Sequence, residues 1–169
     1  MARTALIVPV PAADPIVGEL RRLLDPSTAR GVPAHVTLIV PFLPLARLDL
    51  VTRDELRGLF SRAPAFGFAL SRIEEFPGAI YLSPEPAQPF RDLIEALVAR
   101  YPEAPPYGGA YETVVPHLTV AMPGGAGPRA QVEERVAASL PIEARADEVH
   151  LLIEGEDGCW RLDGRWPLG

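Results

Sequence analysis

The stretch His35-Val36-Thr37-Leu38-Ile39-Val40-Pro41 returns in the second half of the chain as His117-Leu118-Thr119-Val120-Ala121-Met122-Pro123. Both copies read His, apolar, Thr, three further apolar residues and Pro, and a proline closely precedes each, Pro33 and Pro116. The chain has three histidines, and threonine fills 6 of 169 positions. Two of three histidines having Thr two places on is expected by chance about once in 250 trials, so the duplication is read as an internal repeat. Each copy has the composition of a short apolar strand, in which alternate side chains leave on opposite faces. His35 therefore projects with Thr37 and His117 with Thr119, while Val36, Leu38, Leu118 and Val120 turn to the other side.

Outward from the repeat, Thr4 to Val10 predicts a strand, and Asp14-Pro15 an N-cap and first helical position for a helix to about Leu24. Val32 to Pro41 predicts the first motif strand, and Asp49 to Phe60 a helix. Phe66 to Phe76 and Ala79 to Leu82 form a hairpin around Pro77-Gly78. Pro89 to Tyr101 carries Leu93, Ile94, Leu97 and Val98 on one stripe, the pattern of an amphipathic helix. A loop at 105–110 leads to the second motif strand, Val114 to Met122, then to a Gly/Pro loop at 123–128 and a helix from Pro128 to Leu140. Glu148 to Glu154 and Cys159 to Arg165 flank a hairpin turn with Asp157-Gly158. No linker, charge block or low-complexity run divides the chain, so residues 1–169 are read as one α+β domain of two pseudo-symmetric lobes.

Composition narrows the function. With 48% hydrophobic and 22% charged residues the chain is globular, and its formal charge of −6 leaves no broad positive field for duplex DNA. A phosphate ligand would need a local pocket. All 16 basic residues are Arg and Pro reaches 20, a pattern that GC-rich coding bias explains as well as phosphate selection does. The single cysteine, Cys159, excludes an internal disulfide and a multi-thiolate metal cage, which points to the reducing cytoplasm. The apolar run Ala5 to Val8 is too short for a signal-peptide core or a membrane span, so a soluble protein without membrane contact is expected.

Two imidazoles, each beside a hydroxyl, suit phosphoester chemistry. A neutral imidazole takes a proton from the nucleophile, an imidazolium gives one to the leaving oxygen, and two hydroxyls bond the non-bridging phosphate oxygens. Neither a metal nor a cofactor is required. The alternative reading of one such motif is a polar stripe on a half-exposed strand, which the matched pair disfavours. Two distant histidines lack the clustered third ligand of catalytic zinc, and no Gly-x-Ser-x-Gly elbow occurs.

On these motifs the sequence resembles the two-histidine (2H) phosphoesterase superfamily, particularly its 2′-5′ RNA ligase-like and cyclic phosphodiesterase branch, whose signature is two copies of His-x-Thr/Ser-x ending in an apolar residue. The resemblance implies lobes of antiparallel sheet backed by helices, with the motif strands side by side at a central cleft. It also implies catalytic roles for His35, Thr37, His117 and Thr119 in opening a 2′,3′-cyclic phosphate or related cyclic phosphoester. The expected partner is a small cyclic nucleotide or an RNA terminus, and a monomer is expected. Many ligase-like members carry Arg just after the second motif, where this chain has Met122, which argues against RNA-end ligation.

Other residues are weaker candidates. Tyr107 and Tyr111 flank Gly108-Gly109 and either stack a base or pack on the core. Phe42 faces the same choice, and Arg30 is either a phosphate contact at the cleft mouth or an ordinary surface arginine. His150 has no threonine partner and is read as a surface or rim histidine. A binding module holding a nucleotide without turnover is the competing function. Intact proton donors and acceptors in both copies favour the enzyme.

Overall fold

Each copy of the repeat lies on a strand at the edge of a four-stranded antiparallel sheet. The computed structural model describes residues 1–169. In chain order the elements are β1 (Thr4–Pro9), α1 (Asp14–Leu24), the one-turn α2 (Pro26–Ala29), β2 (His35–Ile39), α3 (Leu50–Arg62), β3 (Phe66–Phe76) and β4 (Ala79–Glu85). There follow α4 (Gln88–Arg100), β5 (Leu118–Ala121), α5 (Ala126–Val136), β6 (Ile142–Ala146), β7 (Glu148–Glu154) and β8 (Trp160–Pro167). One sheet runs β2-β1-β7-β8 and the other β5-β4-β3-β6. The motif strands β2 and β5 hold corresponding places, each beside the strand that precedes it through a helix, and their edges meet at the junction of the lobes. The α+β, two-lobed reading therefore holds. Even the peptide bonds closing the motifs match, Val40–Pro41 and Met122–Pro123 both being cis.

The alternation read from the sequence decides which way the motif strands face. Val36, Leu38, Leu118 and Val120 are fully buried in a cluster of 36 residues that spans both sheets, whereas His35, Thr37, His117 and Thr119 are half-buried. A one-residue slip would exchange the two sets, losing about 1.5–3 kcal/mol per exposed apolar side chain. Apolar burial thus fixes the register that presents the polar face.

Several boundaries differ from expectation. The motif strands are shorter than Val32 to Pro41 and Val114 to Met122, since neither Pro33 nor Pro116 can donate a ladder hydrogen bond. Asp14 is already helical, at φ −54° and ψ −43°, because a 3₁₀ turn at Pro11–Ala13 runs straight into α1 and makes Ala13 the N-cap. The last helix starts at Ala126 and ends at Val136, with a 3₁₀ turn to Ser139 and Leu140 extended ahead of Pro141. Strand β6, which pairs with β3, has no counterpart among the expected elements, because its small and charged residues give a weak strand signal.

Candidate active site

The two histidines are held alike. His35 Nδ1 lies 2.7 Å from the Pro33 carbonyl oxygen, and His117 Nδ1 lies 2.8 Å from that of Val115. A carbonyl only accepts, so each Nδ1 carries the hydrogen and each Nε2 presents a lone pair. The Thr37 hydroxyl donates to His35 Nε2 at 3.0 Å, while His117 Nε2 has no protein partner. The His117 ring is further fixed edge-on against Phe76 and Tyr81, at centroid distances of 5.0 and 5.4 Å. All four motif side chains line one cleft of about 220 Å³, whose apolar floor includes Ala5, Ile7 and Leu152.

Burial pushes the His35 imidazole down to about 4, against the Pro33 carbonyl, with the Arg21 and His117 charges adding and Asp25 opposing. Burial also lowers His117, and the Val115 carbonyl opposes it. Both rings are neutral at pH 7 in the unliganded protein, and an anion between them raises both. Beneath His35 lies a buried ion pair, Arg21 Nη2 to Asp25 at 3.3 Å, in which the same nitrogen donates to the Val32 carbonyl at 3.1 Å. Removing the carboxylate by Asp25→Ala leaves a buried guanidinium without its counter-ion. A loss of about 3–5 kcal/mol in unfolding free energy is expected, read as a lower denaturant midpoint.

The weaker candidates divide. Tyr107 is half-buried and lines the cleft together with an adjoining aromatic pocket of about 610 Å³, which His117 and Met122 also share. Tyr111, 65% exposed, lines that pocket and meets Tyr107 edge-on at 5.7 Å. Arg30 lines the cleft, exposed. Phe42 does not belong to the site: its amide donates to the Thr4 carbonyl, which turns the ring into the core against Tyr101. His150 is only partly exposed. Its side chain is 12% exposed and Nε2 lies 2.6 Å from Glu148. It sits opposite Ile7, which in turn faces Thr37, so it shares the motif face at two strands' remove, about 10 Å.

Sequence reasoning missed Arg3 and Trp160, which the pairing of β1, β7 and β8 brings to the cleft, and Asp25 and Ser27, which the α1–α2 junction brings there with no local signal beyond the Asp25-Pro26 cap. No cluster of three potential metal-ligating side chains occurs, and no helix is long and apolar enough to cross a membrane.

A family model described as the 2′-5′ RNA ligase superfamily matches residues 8–158. No curated protein gives a significant match. Among solved structures, Escherichia coli LigT complexed with 3′-AMP aligns over 98% of this chain and 97% of its own, with 18% identity and a TM-score of 0.61. TT0787 of Thermus thermophilus aligns over 98% and 97%, with 19% identity and a TM-score of 0.62. A structure described as a phosphoesterase aligns over the same shares at 18% identity and a TM-score of 0.62.

Proposed function

The chain belongs to the 2′-5′ RNA ligase superfamily, and on that premise we propose that it is a metal-independent phosphodiesterase opening a 2′,3′-cyclic phosphate on a nucleotide or RNA terminus. The observation that carries this reading is the pair of Nε2 atoms turned into one cleft, each with its Nδ1–H held by a backbone carbonyl. Donor and acceptor on either side of phosphorus are what an in-line displacement needs.

In the proposed reaction His35 is the base. Its pKa is held down to about 4, so the ring is unprotonated across the physiological range, and its Nε2 lone pair is freed when the Thr37 hydroxyl turns to phosphate. His35 Nε2 takes a proton from water as the water oxygen bonds to phosphorus, the P–O3′ bond breaks, and His117 Nε2–H protonates the departing O3′. The product is a 2′-phosphate. Thr119 donates to a non-bridging oxygen, and the Thr37 hydroxyl turns from His35 Nε2 to another, where charge accumulates. A base resting on Tyr107 and Tyr111 would fill the aromatic pocket, and the bound 3′-AMP of LigT supports a nucleotide in this fold. Met122 puts a thioether, not a cation, beside the second motif, which favours hydrolysis over end joining.

The pH profile tests the assignment. The base works above its pKa and the acid below its own, so kcat/KM is expected to rise through about pH 4 and to fall below the ordinary histidine value of 6.5. His117→Ala is expected to abolish the falling limb. Turnover of a nucleoside 2′,3′-cyclic phosphate in EDTA separates the enzyme from a binding module. Tight binding without turnover of any cyclic phosphate would favour the module.

A further inference from the structure

The cleft extends well beyond the two histidines. From β2 its lining crosses β1 at Ala5 and Ile7 and β7 at Leu152, and it reaches Trp160 on β8. At the end bordered by residues 25–30, which begins beside His35, the acidic groups are already engaged: Glu154 by two 2.7 Å bonds from Arg3, and Asp25 by Arg21 and the Ser27 amide. The Arg30 guanidinium and the Ser27 hydroxyl line this end and have no partner within the protein.

Arg30 is fixed there by its backbone. Its carbonyl accepts from the Trp160 amide at 2.7 Å. At Gly31, with φ +88°, a Cβ would stand 2.7 Å from the Trp160 carbonyl oxygen, so the loop is seated on β8 as closely as a residue without a side chain permits. The Arg30 charge reaches Glu154, whose carboxyl it helps Arg3 hold below the ordinary range. Because the pairs Arg3–Glu154 and Arg21–Asp25 cancel, Arg30 leaves the cleft with a net positive charge on a chain of formal charge −6.

We propose that this end of the cleft is a subsite for a second phosphate of the same substrate, bound by the forked Arg30 guanidinium and the Ser27 hydroxyl. Unengaged donors beside satisfied acceptors suit a group made of acceptor oxygens. The proposal rests on the phosphodiesterase reading above. The second phosphate is either the 5′-phosphate of a mononucleotide or the internucleotide link of an RNA end.

Three substrates distinguish the sources: a nucleoside 2′,3′-cyclic phosphate, the same compound 5′-phosphorylated, and a dinucleotide ending in a 2′,3′-cyclic phosphate. At least one of the latter two is expected to exceed the first by about 10-fold or more in kcat/KM, the scale of a hydrogen bond to a charged group. That preference, a ratio within each enzyme form, is expected to shrink about 10-fold in Arg30→Gln and less in Ser27→Ala. Preference for the dinucleotide alone identifies the internucleotide link, and preference for the 5′-phosphorylated mononucleotide identifies a free terminal phosphate. Equal kcat/KM on all three substrates, or a ratio untouched by Arg30→Gln, overturns the subsite. Calorimetric titration with a nucleoside 2′,5′-bisphosphate against the 2′-monophosphate reads the subsite apart from catalysis. A bisphosphate advantage lost in Arg30→Gln supports it even if no cyclic phosphate is turned over, and equal affinities overturn it.

Discussion

His35→Ala and His117→Ala are each expected to lower turnover of a 2′,3′-cyclic phosphate by roughly 10²- to 10⁴-fold, the contribution of a positioned general acid or base. Both rings are half-buried at the edges of their strands, and the apolar faces that fix those strands lie on the opposite side. The variants are therefore expected to fold, with unchanged far-ultraviolet dichroism as the check. The double variant is expected to be scarcely worse than either single one, because removing one member of a proton-transfer pair already disables the pair. His150→Ala is the control. Its ring is bonded to Glu148 outside the cleft, and turnover is expected to be nearly unchanged.

Thr37→Val and Thr119→Val are expected to cost about 10- to 1,000-fold, because each removes a donor to developing charge while sparing proton transfer. The two differ in one respect that steady-state kinetics resolves. Thr37 donates to His35 Nε2 in the free protein, a bond that favours the neutral ring, whereas His117 Nε2 has no such partner. Losing the Thr37 hydroxyl is therefore expected to move the rising limb of the kcat/KM profile to higher pH. Thr119→Val is expected to leave that limb in place.

The motif strands are legible in the sequence because one face of each is apolar, and a period of two reports directly on which side a residue takes. His35 and Thr37 pair with His117 and Thr119 in the sequence because the repeat carries its own symmetry. The rest of the cleft lacks such a signal. Arg3, Leu152 and Trp160 reach it only through the pairing of β1 with β7, strands separated by most of the chain, and of β7 with β8. Phe42, left open in the sequence between stacking a base and packing on the core, takes the core. It adjoins the motif in sequence, yet its amide bond to Thr4 turns the ring into the core. His150 bonds to Glu148, two residues away on the same strand face, a partner that the sequence does not single out. Strand β6 escapes notice because alanine and charged residues carry little strand preference, and its pairing with β3 supplies what composition does not.

The central claim is that two histidines in one cleft act as acid and base on a cyclic phosphate whose leaving oxygen is chosen by geometry. Phosphorus NMR of the products from a nucleoside 2′,3′-cyclic phosphate, incubated in EDTA with the wild type and the two single histidine variants, tests it most directly. The 2′-phosphate alone is expected from the wild type, and almost no product from either variant. Equal amounts of the 2′- and 3′-phosphates, or a loss below about threefold in either histidine variant, would contradict it.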